Sequence, residues 1–478
     1  MSLRPSVVVV GGGIAGLAAA WELSGGADGP SASTPRIELI EASDHLGGPL
    51  VTGDLGGRRI DLGPDGFLAR RPEAVTLARE LGLDDELVPI AAAGASIWLQ
   101  GALEPLPGGL VLGVPTDAAA LKEMNGLSWS SRWSAWRDQH APKKMKITTD
   151  VSIGEILRHK LGSELTYQLI EPMVGGIQAG RVDELSAAAV FPGLYSAAQQ
   201  GGSLMKALRG EGASSGPTAE RVLGPLFMTL RRGVGSLVEE LQSQLLDRGV
   251  VVRTHTAVTA LRPTPAGSYP WEVDTADTAT GASAVIVATP APVAARLTQH
   301  LDEHLAQLLT VNSASAAMVT FILPADTTTL PPTGTGVLIP LATAWEDDIM
   351  MTTALTFLDR KWEHLRRDGE VVVRAHVGRI DDRRSEVLGD DELSTRVRRE
   401  ITSVLGSVGE PLATRVQRWP QGLPQYYVGH LELVDRARQA VQPYPIRLAG
   451  SAYDGVGIPA SIGSGRRAAR EVTSLLEG

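Results

Sequence analysis

The chain has 478 residues, of which 43% are hydrophobic and 21% charged, with a formal net charge of −10. That length can bury a large core and predicts roughly two or three domains, while the negative balance excludes a general nucleic-acid binder. No run approaches about 18 uninterrupted apolar residues, so no transmembrane segment is expected, and the absence of a charged-then-apolar leader predicts a chain that is not exported and is cytoplasmic.

Val7 to Val10 predict a strand that runs straight into Gly11-Gly12-Gly13-Ile14-Ala15-Gly16 and then into a helix-forming run from Leu17 to Leu23. In this pattern Gly11 permits the tight turn, Gly13 lets the main chain approach a pyrophosphate, and Gly16 lets helix and strand pack closely. The helix N-terminus adds unpaired N–H groups and a positive dipole end for the phosphates. Gly25 to Pro35 is a Gly/Ser/Pro-rich surface loop, and Arg36 to Ile40 is a second strand with Glu41 at its carboxyl end. An acid there binds adenosine ribose hydroxyls and disfavours the 2′-phosphate of NADP, while FAD and NAD both stay open.

From about residue 121 to 225 the pattern is helical, with an amphipathic stretch at Ile153 to Leu161 and a Gly/Ser loop at Gly210 to Pro217. Trp129, Trp133 and Trp136 share one helical face, with Arg132, Arg137, Lys143, Lys144 and Lys146 nearby. Three readings compete for that face: peripheral contact with a membrane or partner surface, packing on its own domain, or a lid. Ser236 to Leu246 resumes the helical pattern, and Gly249 to Arg253 and Ala284 to Ala288 are strands suited to a return to the nucleotide domain. Residues 313 to 323, 351 to 358 and 370 to 377 predict an antiparallel sheet that could wall a substrate cavity. Near the C-terminus, Gly455 and Gly457 let backbone run flush against a flat ring, and a helix beginning near Pro459 would aim its N-terminus at that ring. The chain has no cysteine, which excludes disulfides, thiolate metal clusters and a thioether-linked flavin. Its nine histidines lack metal-ligand spacing, so no catalytic metal is expected.

Several motifs extend the glycine turn. Glu41-Ala42-Ser43-Asp44-His45-Leu46-Gly47-Gly48 resembles the EAxxRxGG continuation of the flavin amine oxidase superfamily, with His45 in place of the arginine. Ile60 to Phe67, containing Gly63, Pro64 and Asp65, is similar to that family's segment passing the flavin ring. Ile170-Glu171-Pro172 to Gly180 followed by Asp183-Glu184-Leu185-Ser186, then Arg418-Trp419-Pro420, then Tyr453-Asp454-Gly455-Val456-Gly457-Ile458-Pro459, look like the protoporphyrinogen and coproporphyrinogen oxidase family. Gln178 stands where that family often has an aromatic residue. The resemblance covers nearly the whole chain.

It implies an α/β fold: a Rossmann-type FAD-binding domain from residues 1–94, 226–310 and 420–478, an antiparallel-sheet substrate domain from 95–120 and 311–419, and a helical subdomain at 121–225. It implies non-covalent FAD held by Gly11, Gly12, Gly13, Ile14, Ala15, Gly16, Glu41, Ala42, Gly47, Gly48, Gly63, Pro64, Asp65, Val258, Trp419, Gly450, Val456, Gly457 and Ile458. The activity implied is six-electron oxidation of a porphyrinogen in heme biosynthesis, with hydride passing from methylene bridges to the flavin and dioxygen reduced to hydrogen peroxide. No acid–base dyad is expected, because the chemistry belongs to the cofactor. Arg70 and Arg71 are the candidates for binding substrate propionates, against the alternative that they are a solvated helix start before Pro72. Coproporphyrinogen III is favoured over protoporphyrinogen IX because the Ala-, Gly- and Arg-rich composition suggests a high-GC bacterial gene. A transient contact with a ferrochelatase follows from the same resemblance. Rival readings are a flavin amine oxidase with a tyrosine cage (Tyr426, Tyr427, Tyr453), a carotenoid desaturase, and a non-catalytic flavin or heme-delivery protein.

Overall fold

The computed structural model describes residues 4–212, 225–264 and 267–477. Strand β1 (Ser6–Val10) leads through the glycine turn into helix α1 (Ile14–Leu23), and the chain returns as β2 (Arg36–Ile40). Three later segments complete the sheet: β3 (Val251–Arg253), β4 (Ala284–Val287) and β5 (Ile446–Leu448). The order is β3-β2-β1-β4-β5 and every pairing is parallel. A parallel sheet covered on both faces needs strands that are apolar throughout, not alternating. Val7 to Val9 are fully buried and Val10 nearly so, split between two core clusters on opposite faces.

Helix α2 (Ile458–Glu477) closes the chain by packing on α1. The approach is close enough that a Cβ on Gly465 would sit 2.0 Å from the Ala15 carbonyl oxygen. The N- and C-terminal segments are thereby fused into one layer against the sheet.

The second large sheet has seven strands in the order 413–424, 313–324, 370–377, 352–357, 336–338, 96–99, 102–105. All its pairings are antiparallel except that of Gly336–Leu338 with Ser96–Leu99. The three strands expected from periodicity are its centre, with bounds Ser313–Pro324, Thr352–Phe357 and Glu370–Val377. One face buries Val319, Phe321, Val373, Ala375 and Leu355 in a core shared with Leu393, Val397 and Ile401 of the helix Asp390–Leu405. The other face meets the nucleotide-binding layer. Ala413–Pro424 is a single strand, so the division expected at 419/420 falls inside it.

The segment between the two sheets is helical as expected, including Trp129–His140, Ile153–Leu161, Glu171–Gln178, Pro192–Gln200 and Leu204–Gly212. The last of these corrects the start of the expected Gly210–Pro217 loop: residues 210–212 continue the helix, and the remainder lies outside the described residues. Among the described residues no helix is long and apolar enough to cross a membrane.

Candidate cofactor and substrate site

The carboxyl ends of β1, β2, β4 and β5 bring Gly11, Glu41, Ala288 and Ala449 to one edge of the parallel sheet, where ligands of such sheets bind. Each glycine of the first turn has its own reason. Gly11 has φ +104°, and a Cβ there would lie 2.7 Å from the Ala288 carbonyl oxygen. A Cβ on Gly16 would lie 1.9 Å from the Gly11 carbonyl oxygen, so turn and helix could not close. Gly13 differs: it precedes α1 with ordinary φ, has no side-chain cap, and a Cβ there would meet nothing within 4 Å. Its bare backbone faces open space beside the uncapped amides of Ile14, Ala15 and Gly16, because the first intrahelical bond is Leu17 N–H to Gly13 C=O at 2.9 Å.

Glu41 is fixed against this turn. Its Oε2 accepts from the Gly12 amide at 2.6 Å, and its Oε1 accepts the Ser43 amide and hydroxyl at 2.8 Å each. A carboxylate has about four acceptor positions, so Oε2 keeps capacity for a ribose hydroxyl. Val258 lies in the core cluster that includes Val10 and Ile40, just beyond the Thr256 amide that donates to the Glu41 carbonyl at 2.8 Å. Ala42 is exposed. Gly47 (φ +94°) and Gly48 (φ +60°) turn back on the loop, with the Gly47 amide donating to the Gly12 carbonyl at 2.8 Å. His45, at the position of the family's arginine, is exposed and pairs with Asp44 at 2.6 Å. What these residues offer a phosphate is therefore backbone amides and the helix end.

The segment after Asp61 is pinned to the seven-stranded sheet. Arg374, fully buried, donates to the Gly63 carbonyl at 3.0 Å, to the Asp61 carbonyl, and to Thr320 Oγ1 at 3.2 Å. Asp65 accepts from Lys361 Nζ at 2.9 Å and Trp362 Nε1 at 2.6 Å. Burial opposes its charge, but Lys361 and Arg374 overcome that and hold its carboxyl below the usual range. The Asp65 side chain thus serves the scaffold, and what it offers a cofactor is the path of the backbone from Gly63 through Pro64. The Trp419 ring lies against Gly63, at 3.4 Å from where a Cβ would be.

From the other terminus, Gly450 (φ +119°) donates its amide to Ser464 Oγ at 2.9 Å. Ser464 also donates to Asp454, which is held by Arg467 at 3.0 Å and Arg438 at 2.5 Å. These bonds fix the Val456–Gly457–Ile458 entry to α2. Cβ atoms on Gly450 and Gly457 (φ +102°) would meet nothing within 4 Å.

A flavin dinucleotide fits these residues. Gly13, Gly450 and Gly457 present bare backbone to open space, and Trp419 Nε1 and Tyr453 Oη are buried polar atoms without hydrogen-bond partners. Two tyrosines of the amine oxidase reading have packing partners in the protein itself. Tyr426 stacks on His430 at 4.1 Å and donates to the Ser451 carbonyl, and Tyr453 belongs to the core beside β5.

The antiparallel sheet expected to wall a substrate cavity does stand beside Gly63, but none of its lining residues is marked by the sequence. Cross-strand register places Gln417, Met318, His376, Ala354 and Leu338 in one row on the face toward the nucleotide layer. Met318, His376, Ala354 and Leu338 are only half-buried, although their neighbours along each strand are buried. The next row, containing Thr320 and Arg374, is the one tied to Gly63. A largely apolar, open row thus adjoins the segment expected to pass the flavin. The helix Glu171–Gln178 closes this end: buried Glu171 pairs with Arg181 at 3.1 Å, and Arg181 with Asp381 at 2.9 Å. Gln425 Nε2 donates to the Gln178 carbonyl at 2.7 Å.

The two candidate arginines separate. Arg71 occupies the N-cap position of the helix Pro72–Glu80 without a side-chain capping bond, is half-exposed, and lies 3.4 Å from Glu73 at a cavity of about 470 Å³ shared with Arg466 and Arg470. Arg70 instead has Nε and Nη2 buried without partners.

A family model for flavin containing amine oxidoreductases matches residues 14–473. The chain is 34% identical over 480 residues to the coproporphyrinogen III oxidase of Bacillus subtilis, covering 99% of each chain. It is also 34% identical to the coproporphyrinogen III oxidase of Propionibacterium freudenreichii, over 98% of this chain and 90% of that one. The crystal structure of an Exiguobacterium sp. 255-15 protein assigned as a protoporphyrinogen oxidase matches with a TM-score of 0.86 and 31% identity, covering 100% of both chains.

Proposed function

The chain belongs to the flavin containing amine oxidoreductase family, and on that premise we propose that it oxidises coproporphyrinogen III to coproporphyrin III in heme biosynthesis. The observation that carries this reading is the end-to-end identity with coproporphyrinogen III oxidases. The site agrees with it in two respects: a dinucleotide cradle of bare glycine backbone, and beside it a broad, mostly apolar sheet wall suited to a flat macrocycle.

We take FAD to be bound without a covalent link: the chain has no cysteine for a thioether, which leaves only a histidine or tyrosine tether as the alternative. When bound, it supplies the hydride acceptor, and dioxygen is the terminal oxidant, leaving as hydrogen peroxide. The protein's part is placement. Gly13 and the first turn of α1 receive the pyrophosphate, Glu41 the ribose, and Gly63, Trp419, Gly457 and the N-terminus of α2 border the ring. Arg70 binds a substrate propionate, since its unpaired buried nitrogens need an anionic partner. We assign residues 1–94 and 226–310 with the C-terminal segment to the cofactor, 95–120 with 311 onward to the substrate, and the described helices between residues 121 and 212 to covering the site. We place the activity in the cytoplasm, with a transient ferrochelatase contact for its product.

Protoporphyrinogen IX oxidation is the second reading, favoured by the Exiguobacterium relative. The test is a porphyrin-fluorescence assay on both porphyrinogens, first without oxygen and then in air. Faster flavin bleaching and porphyrin formation with the four-propionate substrate support the proposal. A preference for protoporphyrinogen IX replaces it with the second reading, and no turnover of either overturns both. Heat denaturation should release all yellow colour as free FAD; flavin retained on the polypeptide would overturn the non-covalent assignment.

A further inference from the structure

Among Gln417, Met318, His376, Ala354 and Leu338 of the substrate-facing row, His376 is the one ionisable side chain. It stands on the central strand Glu370–Val377, directly across from Met318 on one side and Ala354 on the other, with Leu338 beyond. A histidine among Met, Ala and Leu is out of keeping with a purely packing surface, and it is half-buried where adjacent Ala375 and Val377 are sealed in the core. Its Nε2 lies 3.0 Å from Thr356 Oγ1. That contact satisfies one ring nitrogen and fixes the ring plane, leaving Nδ1 available. Two residues along the same strand face, Arg374 holds the Gly63 carbonyl, so the imidazole adjoins the segment that borders the cofactor.

Resting on the reading above, we propose that His376 contacts the bound porphyrinogen, accepts a hydrogen bond from a pyrrole N–H, and takes that proton as the neighbouring methylene carbon loses hydride. In each round the methylene C–H bond breaks with its electron pair, which reduces the flavin. The adjoining N–H bond breaks, its pair is retained in the new conjugated C=N system, and the proton passes to the imidazole and then to water. Dioxygen takes the electrons from the reduced flavin and leaves as hydrogen peroxide.

Charge around the ring suits a transient acceptor. Burial first, and then Arg374, push the His376 imidazole down to about 4, with Lys361 acting in the same sense and Asp65 against it. The ring is therefore neutral with a free lone pair at working pH, and a proton received there is passed on, not stored.

The experiment is anaerobic flavin bleaching by coproporphyrinogen, followed in the FAD-loaded protein and its His376→Leu, His376→Gln and Thr356→Val variants. FAD content and melting temperature are measured in parallel. The expected result is bleaching slowed about 100-fold in both His376 variants and about 10-fold in Thr356→Val, with FAD retained. If His376→Leu does not hold FAD, His376→Gln decides. A His376 variant that retains FAD and bleaches within threefold of the parent overturns the proposal. If the parent itself is not bleached by coproporphyrinogen, the functional reading and this inference fall together; if the parent is bleached and a His376 variant with FAD keeps pace with it, this inference alone falls.

Discussion

Gly12 and Glu41 are joined by a 2.6 Å bond from the Gly12 amide to the Glu41 carboxylate, so the phosphate turn and the ribose acid form one preassembled unit. Ser43 holds the other carboxylate oxygen, and the carboxylate needs no rearrangement to meet a ribose. Glu41→Ala removes the ribose acceptor and loosens the turn together. FAD affinity should fall about 10- to 100-fold, or about 1.4–3 kcal/mol, measured by titrating apoprotein with FAD and following flavin fluorescence. An unchanged Kd would take Glu41 out of the site.

Gly13→Ala and Gly16→Ala should separate binding from folding. Alanine at 13 has acceptable φ and open space on the protein side, so the variant should fold with nearly parental stability while the methyl group intrudes on the pyrophosphate. Alanine at 16 would put its Cβ 1.9 Å from the Gly11 carbonyl oxygen, a backbone collision that should cost several kcal/mol, about 3 or more. Denaturant melts of the apoproteins and FAD titrations check the pair. Equal stability losses in both would show that Gly13 is there for packing.

Asp61 gives a pH signature. Burial pushes its carboxyl up to about 6, against the opposing bond from Thr52 Oγ1 at 2.5 Å. Its folded value therefore exceeds its unfolded value, so the folded state binds the extra proton between about pH 4 and 6. Stability from this group is fully present below about pH 4 and declines as pH rises through 6, by about 3 kcal/mol. Asp61→Asn should flatten that portion of the stability-versus-pH curve. The same decline in the variant would assign it to another group.

Much of the nucleotide half was legible because its constraints are local. Gly11, Gly16 and Glu41 sit within one strand–turn–helix–strand unit, and the valines of β1 mark a strand buried on both faces. Each of the three predicted strands of the seven-stranded sheet likewise appeared at its expected place. The facing of that sheet was not legible. Whether His376 or Ala375 looks into the open depends on which face the helix Asp390–Leu405 covers, and on registers with strands up to some 60 residues away. The scaffold contacts of the Asp65 side chain were not legible for a related reason: its partners Lys361 and Trp362 lie almost 300 residues along the chain, and no local pattern announces them. Arg70 and Arg71 are adjacent in sequence yet differ in surroundings, which only tertiary structure decides.

The tryptophan face is open. Trp129 is 75% exposed, Trp133 43% and Trp136 49%, so the helix Trp129–His140 does not pack these rings on its own domain. The rings organise among themselves: Trp129 stacks on Trp133 at 6.5 Å, and the Arg137 guanidinium lies 4.9 Å over the Trp133 ring. Lys143, Lys144 and Lys146 follow, all exposed, giving a local basic patch on a chain of net charge −10. Amphipathic rings beside lysines match the interfacial zone of an anionic bilayer, where each lysine contributes about 1 kcal/mol. The protein should therefore float with phosphatidylserine-rich vesicles at low ionic strength, and less so as salt screens the lysines. Replacing the three tryptophans with serine should abolish flotation without changing FAD binding. Protein that remains in the dense fraction at low salt would overturn the bilayer assignment and leave the face to a protein partner.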